Sequence, residues 1–240
     1  IIANFFPKNK YFGLLLYKEL ENLKRALENP KKPFTAIIGG AKVSGKIDVI
    51  QSLFNKVDNL IIGGGMAYTF AKAVGGSIGK SLVEDDKLDL ARKLIAVSKE
   101  KGVNLILPID SVNANRFNND AKIIKSNISN INQEYIGMDI GTKSIEKFSE
   151  IILKSKTIVW NGPMGVFEMQ NFQAGTKLVG EAICRATKNG AFSLVGGGDS
   201  VSAVNQFKFS KEITYLSTGG GAMLEFLEGK KLPGVEAILD

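Results

Sequence analysis

Apolar residues along this 240-residue chain fall into short, nearly continuous runs separated by longer stretches with a helical period. The runs cover 34–38, 59–62, 103–107, 157–160, 192–195 and 213–216, and most end at glycine or an acid. A strand with one wet face alternates apolar and polar positions, whereas a strand of a parallel sheet, covered on both faces, need not. Helices are expected between the runs, over 42–56, 67–74, 86–101, 144–154, 176–188, 200–207 and 223–228. Alternating strand and helix predicts an α/β domain: a doubly wound six-stranded parallel sheet with helices on both faces, a Rossmann-like three-layer sandwich. The stretch 113–140 is polar and Asn-rich, breaks the rhythm, and reads as a small strand excursion at one edge. Residues 14–28 read as a helix entering the domain, stopped by Pro30.

Ligands of such sheets bind outside the carboxyl ends of the strands. That edge collects Gly39-Gly40, Gly63-Gly64-Gly65, Gly196-Gly197-Gly198 and Gly219-Gly220-Gly221. Glycine lets backbone N–H groups approach an anion, and a helix start adds about half a positive charge. One Gly-Gly turn is ordinary turn chemistry; four at one edge point to phosphate. In Gly39-Gly40-Ala41-Lys42-Val43-Ser44-Gly45-Lys46 the spacing predicts Lys42 and Lys46 on one face of the first helical turns. Two surface lysines are the plainer reading, but cations at that end of a helix are misplaced unless an anion is present. Asp199, after Gly197-Gly198, is expected to cap the next helix and, beside a polyphosphate, to hold Mg²⁺ between them. Glu168, at the end of Trp160-Asn161-Gly162-Pro163-Met164-Gly165-Val166-Phe167-Glu168, would otherwise be a solvated acid, and is placed to accept hydrogen bonds from a ribose diol. Gly79-Lys80-Ser81 is a decoy. A phosphate loop needs a glycine where Val74 stands, and no G-x-G-x-x-G follows any strand, which removes the main support for a nicotinamide oxidoreductase.

Composition narrows the chemistry. There is no histidine, so His bases, Ser-His and Cys-His pairs and imidazole zinc sites are excluded. The single cysteine, Cys184, cannot form an internal disulfide, which points to a reducing, cytoplasmic setting. The net charge of +7 suits anionic partners but is diffuse, without the aromatic-interleaved basic run of a nucleic-acid binder. No apolar run reaches the roughly 20 residues of a membrane helix. The start at Ile1 is expected to be the interior of a longer chain.

These motifs together resemble the C-terminal half of the phosphoglycerate kinase family. The likeness runs in order through Lys18-Glu19-Leu20, 39–46, 60–70, 79–88, 137–141, 159–168, 196–200, 217–222 and 224–234. It implies transfer of a phosphoryl group between 1,3-bisphosphoglycerate and ADP, giving 3-phosphoglycerate and ATP, by a cytoplasmic monomer with Mg²⁺. It further implies that Lys42 stabilises the phosphoryl group in flight, that Gly219, Gly220 and Gly221 face it, and that Lys46 grips nucleotide phosphates with Gly39, Ala41, Gly197, Gly198 and Ser200. Asp199 would hold the metal. Gly63, Gly64 and Gly65 would form a flat wall for adenine, covered by Met138 with Gly137 beside it; Asn161, Pro163 and Val166 would line the nucleotide, and Glu168 would take the ribose hydroxyls. Gly45, Met138 and Thr142 depart from the common pattern of an acid, leucine and proline. The resemblance implies that 1–13 is the hinge end of an N-terminal substrate domain and 14–240 the nucleotide-binding domain, with the tail from 232 returning towards its partner. Phosphoglycerate would bind through that other domain, since Arg25, Arg92, Arg116 and Arg185 sit in no substituting motif. The rival reading is a non-catalytic nucleotide-binding module.

Overall fold

The six apolar runs assemble into one parallel sheet in the computed structural model, which describes residues 5, 6 and 8–239. The chain enters through α1 (Leu14–Leu27) and builds β1 (Phe34–Ile38), α2 (Ile47–Leu53), β2 (Asn59–Ile62), α3 (Met66–Ala73), the short β3 (Ser77–Ile78), α4 (Leu88–Glu100) and β4 (Asn104–Ile106). An insert follows, made of β5 (Asp110–Ala114), β6 (Ile123–Asn127), β7 (Asn130–Ile131) and β8 (Ile136–Ile140). The chain then returns through α5 (Thr142–Lys154), β9 (Thr157–Asn161), α6 (Ala174–Lys188), β10 (Phe192–Val195), α7 (Gly198–Gln206), β11 (Tyr215–Leu216), α8 (Gly221–Leu227) and α9 (Pro233–Leu239).

The sheet order is β11-β10-β9-β1-β2-β4, all parallel. Chain progression runs outward from β1 through β2 to β4, then restarts at β9 on the other side of β1. The β1/β9 boundary is therefore the topological switch point. Both faces of the sheet are buried, as the unbroken apolar runs required. Phe34, Ala36 and Ile38 of β1 point into a core with Leu23, Ile50, Phe70, Leu94 and Leu227 from α1, α2, α3, α4 and α8. Ile37 points the other way, with Trp160, towards Phe148, Ile183 and Val204 of α5, α6 and α7. Each fully buried large side chain contributes roughly 1.5–3 kcal/mol, so strand burial fixes the layering.

Three expectations shift. The helix expected from residue 42 begins at Ile47, after a single 3₁₀ turn over Ser44–Lys46. The last strand shortens to two residues, Tyr215 and Leu216. The excursion begins at Asp110 and forms an antiparallel sheet in the order β6-β5-β8, while β7 pairs with β3. Of the segment 1–13, residues 1–4 and 7 lie outside the described residues, as does Asp240 of the tail; Phe5, Phe6 and Tyr11 are exposed.

Candidate functional site

The loops leaving the switch point are sewn together by backbone. Gly39 N donates to Asn161 O at 2.8 Å, Gly40 N to Pro163 O at 3.0 Å, Gly63 N to Ile38 O at 2.9 Å and Gly64 N to Met164 O at 3.1 Å. These amides are therefore committed to holding β1, β2 and β9 in register, not aimed at an anion, which corrects the expectation for these two glycine clusters. Gly64 shows why glycine is needed here. Its φ is +67°, and a methyl group on it would lie 2.5 Å from Gly40 N. The clusters at 197–198 and 220–221 open α7 and α8, and the first amides of a helix have no intrahelical acceptor; the cluster at 63–65 opens α3 in the same way, but Met66 N at its start already donates to Gly40 O at 3.1 Å.

Above this seam lies a cavity of about 280 Å³, lined by Gly39, Gly40, Ala41, Lys42, Lys46, Asn161, Gly162, Gly197, Gly198, Asp199, Ser200, Gly220, Gly221 and Leu224. The two lysines converge on it by a different route from the one expected. Lys42 sits in the bend before the 3₁₀ turn and Lys46 closes that turn, so they do not share a helix face. Glu84 holds the loop between them, accepting from the Ser44 amide at 3.1 Å and from the Ser44 hydroxyl. Partial burial opposes the Glu84 charge, yet the bonds from Ser44 and the Val43 amide outweigh it and hold its pKa below the ordinary value. Gly45 has open space where a side chain would stand and no left-handed φ, so the turn does not depend on glycine there. Lys46 is half-buried. Burial lowers its pKa, opposed by the charges of Asp199 and Glu228, and an anion in the cavity would offset the same cost. Its ammonium donates to Asn161 Oδ1, while Asn161 Nδ2 donates to Gly196 O at 2.7 Å.

Asp199 does not cap α7, contrary to expectation. Gly197 holds the N-cap position with φ of +91°, where a methyl group would lie 2.4 Å from Asn161 Nδ2, and Asp199 stands exposed in the first turn. Ser200 is buried; its Oγ accepts from Gly162 N at 2.6 Å, leaving the hydroxyl hydrogen free to point elsewhere. Gly219 lies off this cavity, beside Glu19 and Ser217. Glu19 is a buried carboxylate on α1 that accepts from Tyr215 Oη at 2.8 Å, from Thr218 N at 3.3 Å and from Ser217 Oγ, tying the loop before α8 to the entering helix. Burial and the adjoining Glu19 carboxylate raise the Tyr215 pKa.

A second cavity of about 510 Å³ joins the first through Gly40, Ala41 and Asp199. Its wall is largely apolar. Gly64, Gly65, Gly137, Met138, Pro163, Val166 and Glu168 line it, joined by Tyr68, Leu82, Phe117, Ile136 and Met164, which the sequence reading did not single out. Gly63 is buried behind this wall against Met164 and does not line it. Phe117 is 63% exposed, an aromatic ring left in water at the cavity mouth. The Tyr68 ring packs under Gly137, its hydroxyl 2.9 Å from Ser111 Oγ. Val166 N donates to Met138 O at 2.9 Å and Met164 N to Thr176 Oγ1 at 3.0 Å, bracing residues 163–168 against β8 and α6.

The two cavities thus form one trough, cationic and rich in helix-start amides at one end and apolar at the other, with Asp199 where they meet. Among the described residues no cluster of three or more acidic, cysteine or histidine side chains could cage a metal by itself. A single exposed carboxylate suits Mg²⁺ only when ligand oxygens complete the shell, which fits a metal arriving with polyphosphate.

A family model described as phosphoglycerate kinase matches residues 1–230. The chain is similar to the phosphoglycerate kinase of Porphyromonas gingivalis, 59% identical over 239 residues, and to that of Chlorobium phaeobacteroides, 54% identical over 228 residues. These alignments cover 99% and 95% of this chain but 57% of each relative's length. Among solved structures, phosphoglycerate kinase from Coxiella burnetii superposes with a TM-score of 0.89 at 45% identity, covering 93% of this chain and 57% of that one. The enzyme from Pyrococcus horikoshii superposes with a TM-score of 0.76 at 31% identity, covering 95% and 56%.

Proposed function

The chain belongs to the phosphoglycerate kinase family, and from that premise we propose that it is the Mg-nucleotide-binding part of a phosphoglycerate kinase. The intact enzyme then transfers a phosphoryl group between 1,3-bisphosphoglycerate and ADP in glycolysis, as a cytoplasmic monomer with neither nucleic-acid nor membrane partners. One observation carries the reading: the continuous trough has a phosphate-like end and a base-like end joined at Gly40, Ala41 and Asp199.

In this assignment the polyphosphate lies against Lys46 and the amides at 197–200, and adenine lies between Gly64-Gly65 and Met138, with Gly137, Pro163 and Val166 around it. Asn161 orients Lys46 and Glu168 at the rim takes the ribose hydroxyls. Asp199 holds Mg²⁺, which neutralises phosphate charge when bound with the nucleotide. Phosphoryl transfer needs alignment and charge neutralisation, not a covalent intermediate, so the absence of histidine is no obstacle. Lys42, exposed on the wall of the cavity, stabilises the group in transit together with the amides of Gly220 and Gly221. No arginine lines either cavity; Arg25 stacks 4.4 Å over the Phe192 ring and Arg92 bonds Ala73 O. The phosphoglycerate is therefore assigned to residues beyond these walls, and the 240-residue chain is expected to bind nucleotide with negligible turnover. Calorimetric titration of the chain with Mg-ADP should give saturable, magnesium-dependent 1:1 binding, alongside a null coupled ATP-formation assay. A folded chain that ignores Mg-ADP defeats the binding assignment, and turnover near that of a full-length enzyme defeats the division of labour.

A further inference from the structure

Asp139, on β8 next to the cavity-lining Met138, has no part in the trough's surface, yet the wall is built on it. It is 1% exposed. Its Oδ2 accepts from Gly175 N at 2.7 Å, at the start of α6, and its Oδ1 from Ile140 N at 2.8 Å. The loop on the other side is just as close: a methyl group on Gly165 would lie 2.2 Å from Oδ1, as would one on Gly175. Gly165 and its neighbours Pro163, Met164, Val166 and Glu168 all line the apolar cavity. A buried carboxylate is costly unless hydrogen-bonded, so a site that keeps one between two glycines is specified closely.

We infer that Asp139 is a positioning residue for the base-side wall: its carboxylate clamps the start of α6 and seats Gly165, which fixes how far residues 163–168 stand from Met138 and so how tightly the wall closes on an adenine ring. The inference rests on the nucleotide assignment above. Burial pushes the Asp139 pKa up to about 7, against the pull of the Gly175 and Ile140 amides. The titratable neighbour is Tyr68 of α3, whose phenol is kept neutral by burial and meets Ser111 of β5. From α6 and from residues 163–168 the groups facing Asp139 are backbone, at Gly175 and Gly165. The ionised carboxylate accepts from both amides, while a protonated one gives up part of that capacity. The clamp therefore tightens as pH rises through neutrality.

The test uses two probes on the whole chain: adenosine, which does not titrate near neutrality, for the base side, and Mg-pyrophosphate for the phosphate side. Wild-type affinity for adenosine, followed by NMR titration, should rise between pH 6 and 8 with a midpoint near 7. Asp139→Asn should bind adenosine about tenfold more weakly at pH 8, the scale of one charge-assisted hydrogen bond, with the gap closing at pH 6 and pyrophosphate affinity unchanged. Gly175→Ala, which pushes the same carboxylate from outside the cavity, should show the same selective loss. Flat wild-type adenosine affinity across pH 6–8 overturns the inference even if neither variant folds, as does equal weakening of both probes in the variants. A wild-type chain that binds no adenosine and no Mg-ADP at any pH overturns the nucleotide assignment instead, and this inference with it.

Discussion

The two ends of the trough are built on opposite plans. At the glycine end the sheet delivers the site: Asn161 ends β9, Gly197 and Gly198 follow shortly after β10, and Lys46 closes the turn that leaves β1, with backbone supplying most of the surface. At the apolar end the insert contributes Phe117, Ile136, Gly137 and Met138 from residues 110–140; Met138 is buried and Gly137 packs on the Tyr68 ring, while Phe117 stands exposed at the mouth. The first plan follows from topology and tolerates few backbone changes; the second is set by volume and shape, and should tolerate graded ones.

The largest effect that distinguishes the ends belongs to Lys42. In the intact enzyme Lys42→Ala should lower kcat by about 10²–10³, the scale of removing one preorganised charge-stabilising donor, with a much smaller change in nucleotide Kd. Equal losses in both would make Lys42 a ground-state ligand.

Next in size, Lys46→Met should cost about tenfold or more in Mg-ADP affinity while leaving adenosine binding alone, since it removes a charged donor from the glycine end only. Phe117→Ala should do the reverse, weakening adenosine several-fold, about 1 kcal/mol of aromatic contact, and sparing Mg-pyrophosphate. If each variant weakens both probes alike, the two ends do not act separately.

The smallest effect concerns pH. Glu84 has a folded pKa below its ordinary value, so its contribution to stability is present above the ordinary value and fades as pH falls through the folded one. Wild-type Tm should therefore fall more steeply than that of Glu84→Gln between about pH 5 and pH 3. Identical slopes would show that the bonds from Ser44 do not hold the lysine loop.

Much of this was legible from residue order. β1, β2 and β10 begin and end where the runs do, because burial on both faces favours apolar residues at successive positions, with Thr35 and Ser193 as buried polar exceptions. The glycine end was legible for the same reason. What failed there was local: the helix expected at Lys42 starts five residues later, since Gly39 to Ser44 must first turn away from the sheet, and the cap expected of Asp199 went to Gly197. The apolar end was half legible. Met138 and Val166 came from the family resemblance, whereas Tyr68, Leu82 and Phe117 meet only through tertiary packing. A lone aromatic among asparagines, as at Phe117, was a signal in plain view. So was Glu19, a carboxylate on the buried stripe of α1 with Leu20, Leu23, Ala26 and Leu27.

A crystal structure of the chain with Mg-ADP decides how the nucleotide lies in the trough. The diphosphate is expected against Lys46 and the amides at 197–200, magnesium on Asp199, and adenine between Gly64-Gly65 and Met138. A nucleotide bound elsewhere, or seated in the trough with its base at the glycine end and Lys46 turned away, would contradict this assignment.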